Sequence, residues 1–172
     1  AAIPGNQDDM IKKSHEKAEK AGQILKNLQK RMKNDYGKFW RQNLNEYFIN
    51  AEQEIVEAFS LLAIIKQEEI PSKDIPFRTQ NPDSYIKMKT TVKVSDEAYV
   101  FGLLDCVGEL KRVIMDSLNR TDSDFAKKVF IIMQELFQKL EPFTQFSNSF
   151  HYLKPKIDAA RYAVNDAKKL LK

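Results

Sequence analysis

The sequence has few residues of the kinds that form disulfides, tight turns or soft-metal sites. Its 172 residues include one cysteine, two histidines, five glycines and six prolines. A single cysteine excludes an intramolecular disulfide framework, so we expect a reducing, cytoplasmic setting. The small number of glycines and prolines favours long helices over many short strands joined by tight turns.

The shortage of cysteine and histidine also excludes several kinds of active site. Zinc sites use clusters of these two residues, and Ser-His-Asp triads need a well-placed histidine. Ferritin-like di-iron bundles carry a Glu-x-x-His motif on each of two helices, but neither His15 nor His151 follows a glutamate at that spacing. The sequence has no glycine-rich phosphate loop. It also lacks an apolar run of about 18 residues, so no membrane partner is expected.

The residues that are present describe a globular chain. Hydrophobic residues make up 42% of the sequence and charged residues 30%, which is typical of a folded domain. The net charge of +4 permits an acidic partner such as nucleic acid but does not require one. We expect residues 1–9 to be an artificial or disordered start, with residues 10–172 forming the domain.

Apolar residues at spacings of three and four predict an all-α, single-domain bundle of five to seven helices. The predicted principal helices are 10–34, 38–67, 95–119, 125–140 and 152–171, and Thr121 to Asp124 resemble an acidic capping box. Prolines between the second and third helices predict an irregular connection, with a short strand or helical turn at 84–91. Helical spacing assigns six aromatic residues to the core rather than to a base-stacking surface: Phe48, Phe59, Phe101, Phe130, Phe137 and Tyr162. Trp40 is either a core residue or an interface anchor.

Two pairs of carboxylates stand out in the apolar parts of predicted helices. Glu54 and Glu57 are three residues apart, and Asp105 and Glu109 are four apart, so each pair shares one helix face. Buried carboxylates are costly unless a cation meets them. Four of them would suit a hard divalent ion such as Mg²⁺ or Mn²⁺. The alternative is a set of salt bridges to lysine or arginine on neighbouring helices.

Three segments of the chain resemble the translin superfamily. They are EIVEAFSLLAII (54–65), EAYVFGLLDCVGELKRVIMDSLN (97–119) and LKPKIDAARYAVNDAKKLL (153–171), and the resemblance extends over about 47–171. The branch called translin-associated factor X carries a Glu-x-x-Glu and an Asp-x-x-x-Glu that bind Mg²⁺ and cleave RNA. Glu54, Glu57, Asp105 and Glu109 match those four positions.

This resemblance implies an Mg²⁺-dependent endoribonuclease acting on single-stranded or unpaired RNA. Glu57 and Glu109 would be the principal metal ligands, Glu54 and Asp105 further ligands or the base, and Mn²⁺ an alternative ion. The family also implies a homo-oligomeric, octameric barrel with RNA inside, and the short chain resembles an archaeal or otherwise minimal member. The candidate RNA-binding residues are Arg41, Lys66, Lys111, Arg112, Arg120 and Arg161. For each of them the alternative is an ordinary surface or salt-bridging role.

Two other functions remain open at this stage. One is a non-catalytic barrel that binds single-stranded RNA or DNA, as in the translin branch of the superfamily. The other is a structural helical bundle whose acids only form salt bridges. Cleavage that depends on Mg²⁺ would distinguish the endoribonuclease from both of these alternatives. RNA binding at low salt would distinguish the non-catalytic barrel from the structural bundle.

Overall fold

The computed structural model describes residues 4–71, 73 and 92–172, and in this part of the chain all regular secondary structure is helical. The five α-helices are α1 (Pro4–Tyr36), α2 (Trp40–Ile65), α3 (Asp96–Asn119), α4 (Ser123–Leu140) and α5 (Leu153–Leu170). Short 3-10 helices occupy Gly37–Phe39 and Glu141–Phe146. The predicted all-α class is therefore confirmed. The strand or turn predicted at 84–91 lies outside the described residues.

The chain divides into two compact units between Tyr99 and Val100, so the boundary falls within the first turns of α3. In the first unit, α1 and α2 pack against each other in antiparallel directions. Gln29 contacts Glu52, whereas His15, earlier on α1, contacts Phe59, later on α2. The reversal takes place through the 3-10 helix at Gly37, whose φ of +71° is a conformation that glycine adopts without steric cost.

The second unit contains the rest of α3 together with α4 and α5. Asp105 pairs with Lys156 and Lys111 pairs with Asp166, so α3 and α5 run in the same direction. Each helix has one buried apolar stripe, as expected for amphipathic helices around a common core. The core residues of this unit include Leu110, Ile114, Val129, Met133, Leu136, Leu153 and Ile157.

Several helix ends differ from the prediction. α1 begins at Pro4 rather than at Met10. The cap of α4 is Asp122, whose carboxylate accepts a hydrogen bond from the Phe125 amide at 3.1 Å. Thr121 adopts a φ of +62° instead of capping the helix. The end of α4 at Leu140 agrees with the prediction, and Pro142 follows in the first turn of the second 3-10 helix, where a missing amide hydrogen costs nothing.

The aromatic core is mostly as predicted. Phe48, Phe59, Phe101 and Phe137 are buried, and Trp40 is a core residue that packs edge-on against Phe48. The prediction for Tyr162 is wrong, since its side chain is 73% exposed. The buried stripe of α5 contains Ile157, Ala160, Ala163 and Ala167, and Tyr162 lies on the opposite face of that helix. Phe130 is only half-buried.

No helix among the described residues has both the length and the apolar character that crossing a membrane requires.

Candidate functional site

The acid pair on α3 lies within the second unit and is only partly buried. The side chain of Asp105 is 28% exposed and that of Glu109 is 35% exposed. Both oxygens of Asp105 accept hydrogen bonds from the Lys156 ammonium on α5, each at 2.7 Å. The same ammonium lies 5.5 Å from the centre of the Phe101 ring. The salt-bridge alternative therefore applies to Asp105 in this structure.

Glu109 has a weaker partner than Asp105. It accepts hydrogen bonds from Arg112 of the same helix, at 3.1 Å and 3.3 Å. The Arg112 side chain is 77% exposed, and an exposed pair three residues apart on one helix contributes little to stability. Glu109 can thus exchange this partner for another cation at small cost, whereas Asp105 is held from a second helix.

The acid pair on α2 belongs to the first unit. Glu54 is exposed and Glu57 is half-buried, while Ile55 and Val56 between them are buried. The pair therefore borders the core face of α2 rather than lying within it. Among the described residues there is no group of three or more His, Cys, Asp or Glu side chains placed to hold a metal ion. That all four predicted carboxylates act together stays a prediction.

A cleft of about 520 Å³ lies along α3 next to Glu109. Its lining residues in the second unit are Glu109, Arg112, Val113, Met115 and Asp116. Two carboxylates and one guanidinium thus face a space large enough for part of a polymer or a small ligand. A guanidinium can bind a phosphate through two parallel hydrogen bonds, and carboxylates can accept hydrogen bonds from hydroxyl groups.

The buried carboxylate of the first unit is one that sequence reasoning missed. Glu52 is completely buried, whereas Glu54, predicted to be in an apolar setting, is exposed. A signal was available in the sequence. Glu52 lies three, four and seven residues before Ile55, Val56 and Phe59, so it shares the apolar face of α2.

Glu52 is fully satisfied by partners within the first unit. It accepts hydrogen bonds from Arg41 to both oxygens, from the Gln29 side chain at 2.8 Å and from the Ser95 amide at 2.8 Å. Gln29 also donates to the Lys93 carbonyl at 2.9 Å. The Ser95 hydroxyl in turn accepts from the Ala98 amide at 3.2 Å, at the start of α3. Glu52 thus ties α1 and α2 to the beginning of α3.

Two of the predicted RNA-binding residues form ion pairs between helices. Arg41 pairs with Glu52, and Lys111 pairs with Asp166 of α5 at 2.9 Å. Hydrogen bonds from Lys111 and then Lys169 hold the pKa of Asp166 below its ordinary value. These contacts give both cations a role in the fold, and their role in RNA binding stays a prediction.

The remaining predicted RNA-binding residues differ in their surroundings. Arg161 pairs with Glu141 at 3.0 Å and with Asp158 at 2.6 Å. The hydrogen bond to Glu141 is the main cause of a raised pKa of Arg161, and a hydrogen bond from Lys154 is the main cause of a lowered pKa of Asp158. Lys66 is half-buried just after α2, and Arg120 is exposed just after α3. Arg112 is the only one of the six that lines the α3 cleft.

Comparison with known proteins identifies the family. An uncharacterized protein of Methanocaldococcus jannaschii is 28% identical over 101 residues, which cover 58% of this chain and 38% of that protein. The chain thus spans well under half the length of this curated relative. The structure of the AfC3PO–duplex RNA complex has the same fold, with a TM-score of 0.57 and 19% identity over 94% of this chain and 85% of that one.

The crystal structure of AfC3PO gives a TM-score of 0.56, again at 19% identity, and covers 94% of this chain and 86% of that one. At this level of identity the similarity establishes the fold. The match to the family covers nearly the whole chain, since it runs from residue 3 to residue 170 and leaves two residues outside it at each end. The chain therefore belongs to the Translin family.

Proposed function

We propose that this protein is an Mg²⁺-dependent endoribonuclease that cleaves single-stranded or unpaired RNA. Glu54, Glu57, Asp105 and Glu109 are the proposed metal ligands and catalytic acids. The observation that carries the proposal is the partly exposed acid pair of α3, next to a cleft that presents Arg112, in a chain of the Translin family.

The chemistry of the donor set fits the proposed ion. Carboxylate oxygens are the ligands that Mg²⁺ and Mn²⁺ prefer. Glu54 is exposed and the other three acids are partly exposed, so none of the four is sealed within the core. When bound to such ligands, the ion polarises a phosphodiester and lowers the pKa of a water molecule.

The residues around α3 have separate roles in this proposal. Lys156 fixes the orientation of the Asp105 carboxylate by contacting both of its oxygens. Glu109 would hold the ion in place of its exposed contact with Arg112, and Arg112 would then be available to bind an RNA phosphate at the cleft. Because Arg112 and Arg120 neutralise phosphates, RNA affinity falls as salt concentration rises.

The similarity of fold to the AfC3PO–duplex RNA complex supports RNA as the partner. A preference for single strands and assembly into an octameric barrel are implied by the resemblance to translin-associated factor X, and both belong to the proposal. Cleavage of matched single-stranded and duplex substrates measures the preference. Light scattering of the purified protein measures the mass of the assembly.

Cleavage of an end-labelled single-stranded RNA tests the proposal. Wild-type protein should cleave it with Mg²⁺ and stop when EDTA is added. Glu109→Gln should lower the rate by about 100-fold or more, because loss of an outer-shell partner of a metal site already costs about 10- to 100-fold. Glu135→Gln removes an exposed acid from α4 and serves as the matched control, with wild-type activity. Equal rates for Glu109→Gln and wild type would contradict the assignment.

The second candidate is a barrel that binds single-stranded RNA or DNA without cleaving it. The contact of both Asp105 oxygens with Lys156 favours it, because it gives that acid a structural partner. This candidate predicts salt-sensitive RNA binding, no cleavage with Mg²⁺ or Mn²⁺, and unchanged affinity in Glu109→Gln.

A further inference from the structure

The turn between α1 and α2 presents two aromatic rings to solvent. Tyr36 is 65% exposed and Phe39 is 56% exposed. Tyr36 is the last residue of α1, and Phe39 ends the 3-10 helix that follows it. The next residue, Trp40, is buried and packs edge-on against Phe48. The packing of the turn against the core therefore accounts for Trp40 and leaves the two exposed rings without a structural role.

A row of lysines on α1 leads to these rings. Lys26, Lys30 and Lys33 follow one another at spacings of four and three residues, and Tyr36 comes three residues after Lys33. All four thus lie along one side of the helix, and the lysine row is about 10 Å long. The three lysines are exposed, and among the described residues none of them has an ion-pair partner. Most of the cations predicted to bind RNA, by contrast, are held in ion pairs.

The carboxylates around the lysine row are neutralised by other cations. Asp35 is the only acid between residues 26 and 39, and Arg31 pairs with it at 3.5 Å. Glu52, which contacts α1 from α2, is buried and pairs with Arg41. The charges that are left uncompensated between residues 26 and 39 are therefore all positive, which favours a polyanionic partner.

We infer that this surface binds single-stranded RNA, with bases stacked on the two rings and phosphates bound by the lysines. We call it the α1 platform, and its members are Lys26, Lys30, Lys33, Tyr36, Lys38 and Phe39. The inference rests on the proposed function for RNA as the partner, and it adds a binding surface in the first unit.

Stacking platforms next to cations are typical of proteins that bind single strands. The Lys38 ammonium lies 5.0 Å from the centre of the Phe39 ring, so it can bind the phosphate of a nucleotide whose base stacks there. Because every base has a π face, the platform should bind strands with little sequence preference.

The arrangement of apolar residues on α1 favours RNA over an anionic membrane. A helix that lies in a membrane interface buries one apolar face with basic residues on the other side. On α1 the exposed apolar residues Ile24 and Leu28 are each two residues from Lys26, and residues at that spacing do not face each other. The lysine row therefore ends at aromatic rings and is not bordered by an apolar stripe.

Fluorescence anisotropy of a labelled single-stranded RNA in EDTA measures binding without cleavage. The double variant Tyr36→Ala with Phe39→Ala should bind about tenfold or more weakly, because it removes the stacking of two bases. An abasic strand of the same length isolates this effect. Wild-type protein should bind the abasic strand more weakly than RNA, and the double variant should lose most of that difference. Tyr162→Ala, which removes an exposed tyrosine from α5, is the matched control and should bind as wild type does.

Salt dependence tests the lysine row separately from the rings. The triple variant Lys26→Gln, Lys30→Gln and Lys33→Gln should reduce the slope of log affinity against log salt by about 2, since each phosphate contact with a single strand contributes about 0.7. The matched control replaces three exposed lysines of α4 with glutamine and should keep the wild-type slope. They are Lys127, Lys128 and Lys139. All of these residues are exposed, and thermal scans check that each variant is folded.

The outcomes separate this inference from the proposed function. Affinity that is lost in the double variant, in a wild-type protein that does not cleave, supports the platform and refutes the nuclease. Wild-type affinity and salt slope in the platform variants, with cleavage retained, refute the platform and leave the nuclease standing. Equal losses for RNA and the abasic strand in the double variant contradict the stacking.

Two further results would overturn the inference. Wild-type protein that sediments with vesicles of anionic phospholipid, with sedimentation lost and RNA affinity unchanged in the double variant, would assign the surface to a membrane instead. Wild-type protein that binds no RNA at low salt would refute both the platform and the proposed function.

Discussion

At the scale of single residues, Glu52 is a buried charged side chain that connects elements of the first unit. Its carboxylate is completely buried and is satisfied by Arg41, Gln29 and the Ser95 amide. Replacing it with glutamine keeps the size but leaves the guanidinium of Arg41 without its charged partner. We expect Glu52→Gln to lower the free energy of unfolding by about 3 kcal/mol or more, as when one member of a buried ion pair is removed.

Urea denaturation of Glu52→Gln measures this loss as a lower midpoint. Glu46→Gln, at an exposed position of the same helix, is the matched control and should unfold at the wild-type midpoint. A wild-type midpoint for Glu52→Gln would mean that Glu52 does not stabilise the packing of α1 and α2.

Lys156 and Asp105 form the residue-scale contact that bears on the α3 site. Both side chains are about a quarter exposed, and the two hydrogen bonds are short. Lys156→Met should lower the free energy of unfolding by about 1–3 kcal/mol, because it leaves a largely buried carboxylate without this donor. A double-mutant cycle with Asp105→Asn measures the coupling, and additive losses would show that the two residues do not stabilise each other.

At the scale of elements, α5 carries two acids whose pKa values are lowered, and one of them, Asp166, pairs with Lys111 of α3. Hydrogen bonds from Lys111 and Lys169 lower the pKa of Asp166 from its ordinary 3.8, and Lys154 and then Arg161 lower that of Asp158. As the pH falls, these two carboxylates therefore become protonated at a higher pH in the unfolded chain than in the folded protein. Their contribution to stability is present above the ordinary pKa and is lost as the pH falls through the lower folded value.

We accordingly expect the melting temperature to fall between about pH 5 and pH 2. Asp166→Asn should have a shallower dependence on pH over that range, because it removes one of the groups whose folded and unfolded pKa values differ. Thermal scans in a series of acidic buffers measure the two slopes. Equal slopes would contradict the role of Asp166.

The N-terminus of α4 allows a local test of helix stability. Because the Asp122 side chain accepts the Phe125 amide hydrogen, Asp122→Ala should lower the free energy of unfolding by about 1 kcal/mol. Ser123→Ala, one residue later and also exposed, is the control. Chemical denaturation of both variants decides whether Asp122 or another residue caps this helix.

At the scale of the whole molecule, the proposed function assigns roles to two acid pairs, one in each unit. If all four acids serve one metal ion, Glu57→Ala and Glu109→Ala disable the same centre. The double variant should then lose little more activity than either single variant, because residues that act together are strongly non-additive. Values of kcat/KM for the four proteins measure this, and losses that multiply would show that the two acids act independently.

Much of the fold could be predicted because helix formation depends on local pattern. The predicted start of α3 and its end at Asn119 lie within a residue of the observed bounds, since apolar spacing and polar caps are encoded in neighbouring residues. The cap of α4 was displaced by one residue, from Thr121 to Asp122, because both side chains can accept the same kind of hydrogen bond.

The candidate site was predictable only in part. The spacing of Asp105 and Glu109 correctly placed them one turn apart on a helix. It could not distinguish their partners, since Lys156 is 51 residues from Asp105 while Arg112 is three residues from Glu109. On α2 the prediction favoured Glu54 and overlooked Glu52, because it weighed the apolar stretch as a whole and not the helical spacing that places Glu52 on the apolar face.

The sequence by itself determined the all-α class, the approximate helix ranges and the two acid pairs, because each is a matter of residues within one or two turns of each other. The tertiary structure decided which faces became buried and which cations met which acids. It buried Glu52 and exposed Tyr162, and it brought Lys156 to Asp105. The physical reason is that the burial and charge of a side chain depend on neighbours from other helices, which lie close in space but far along the chain.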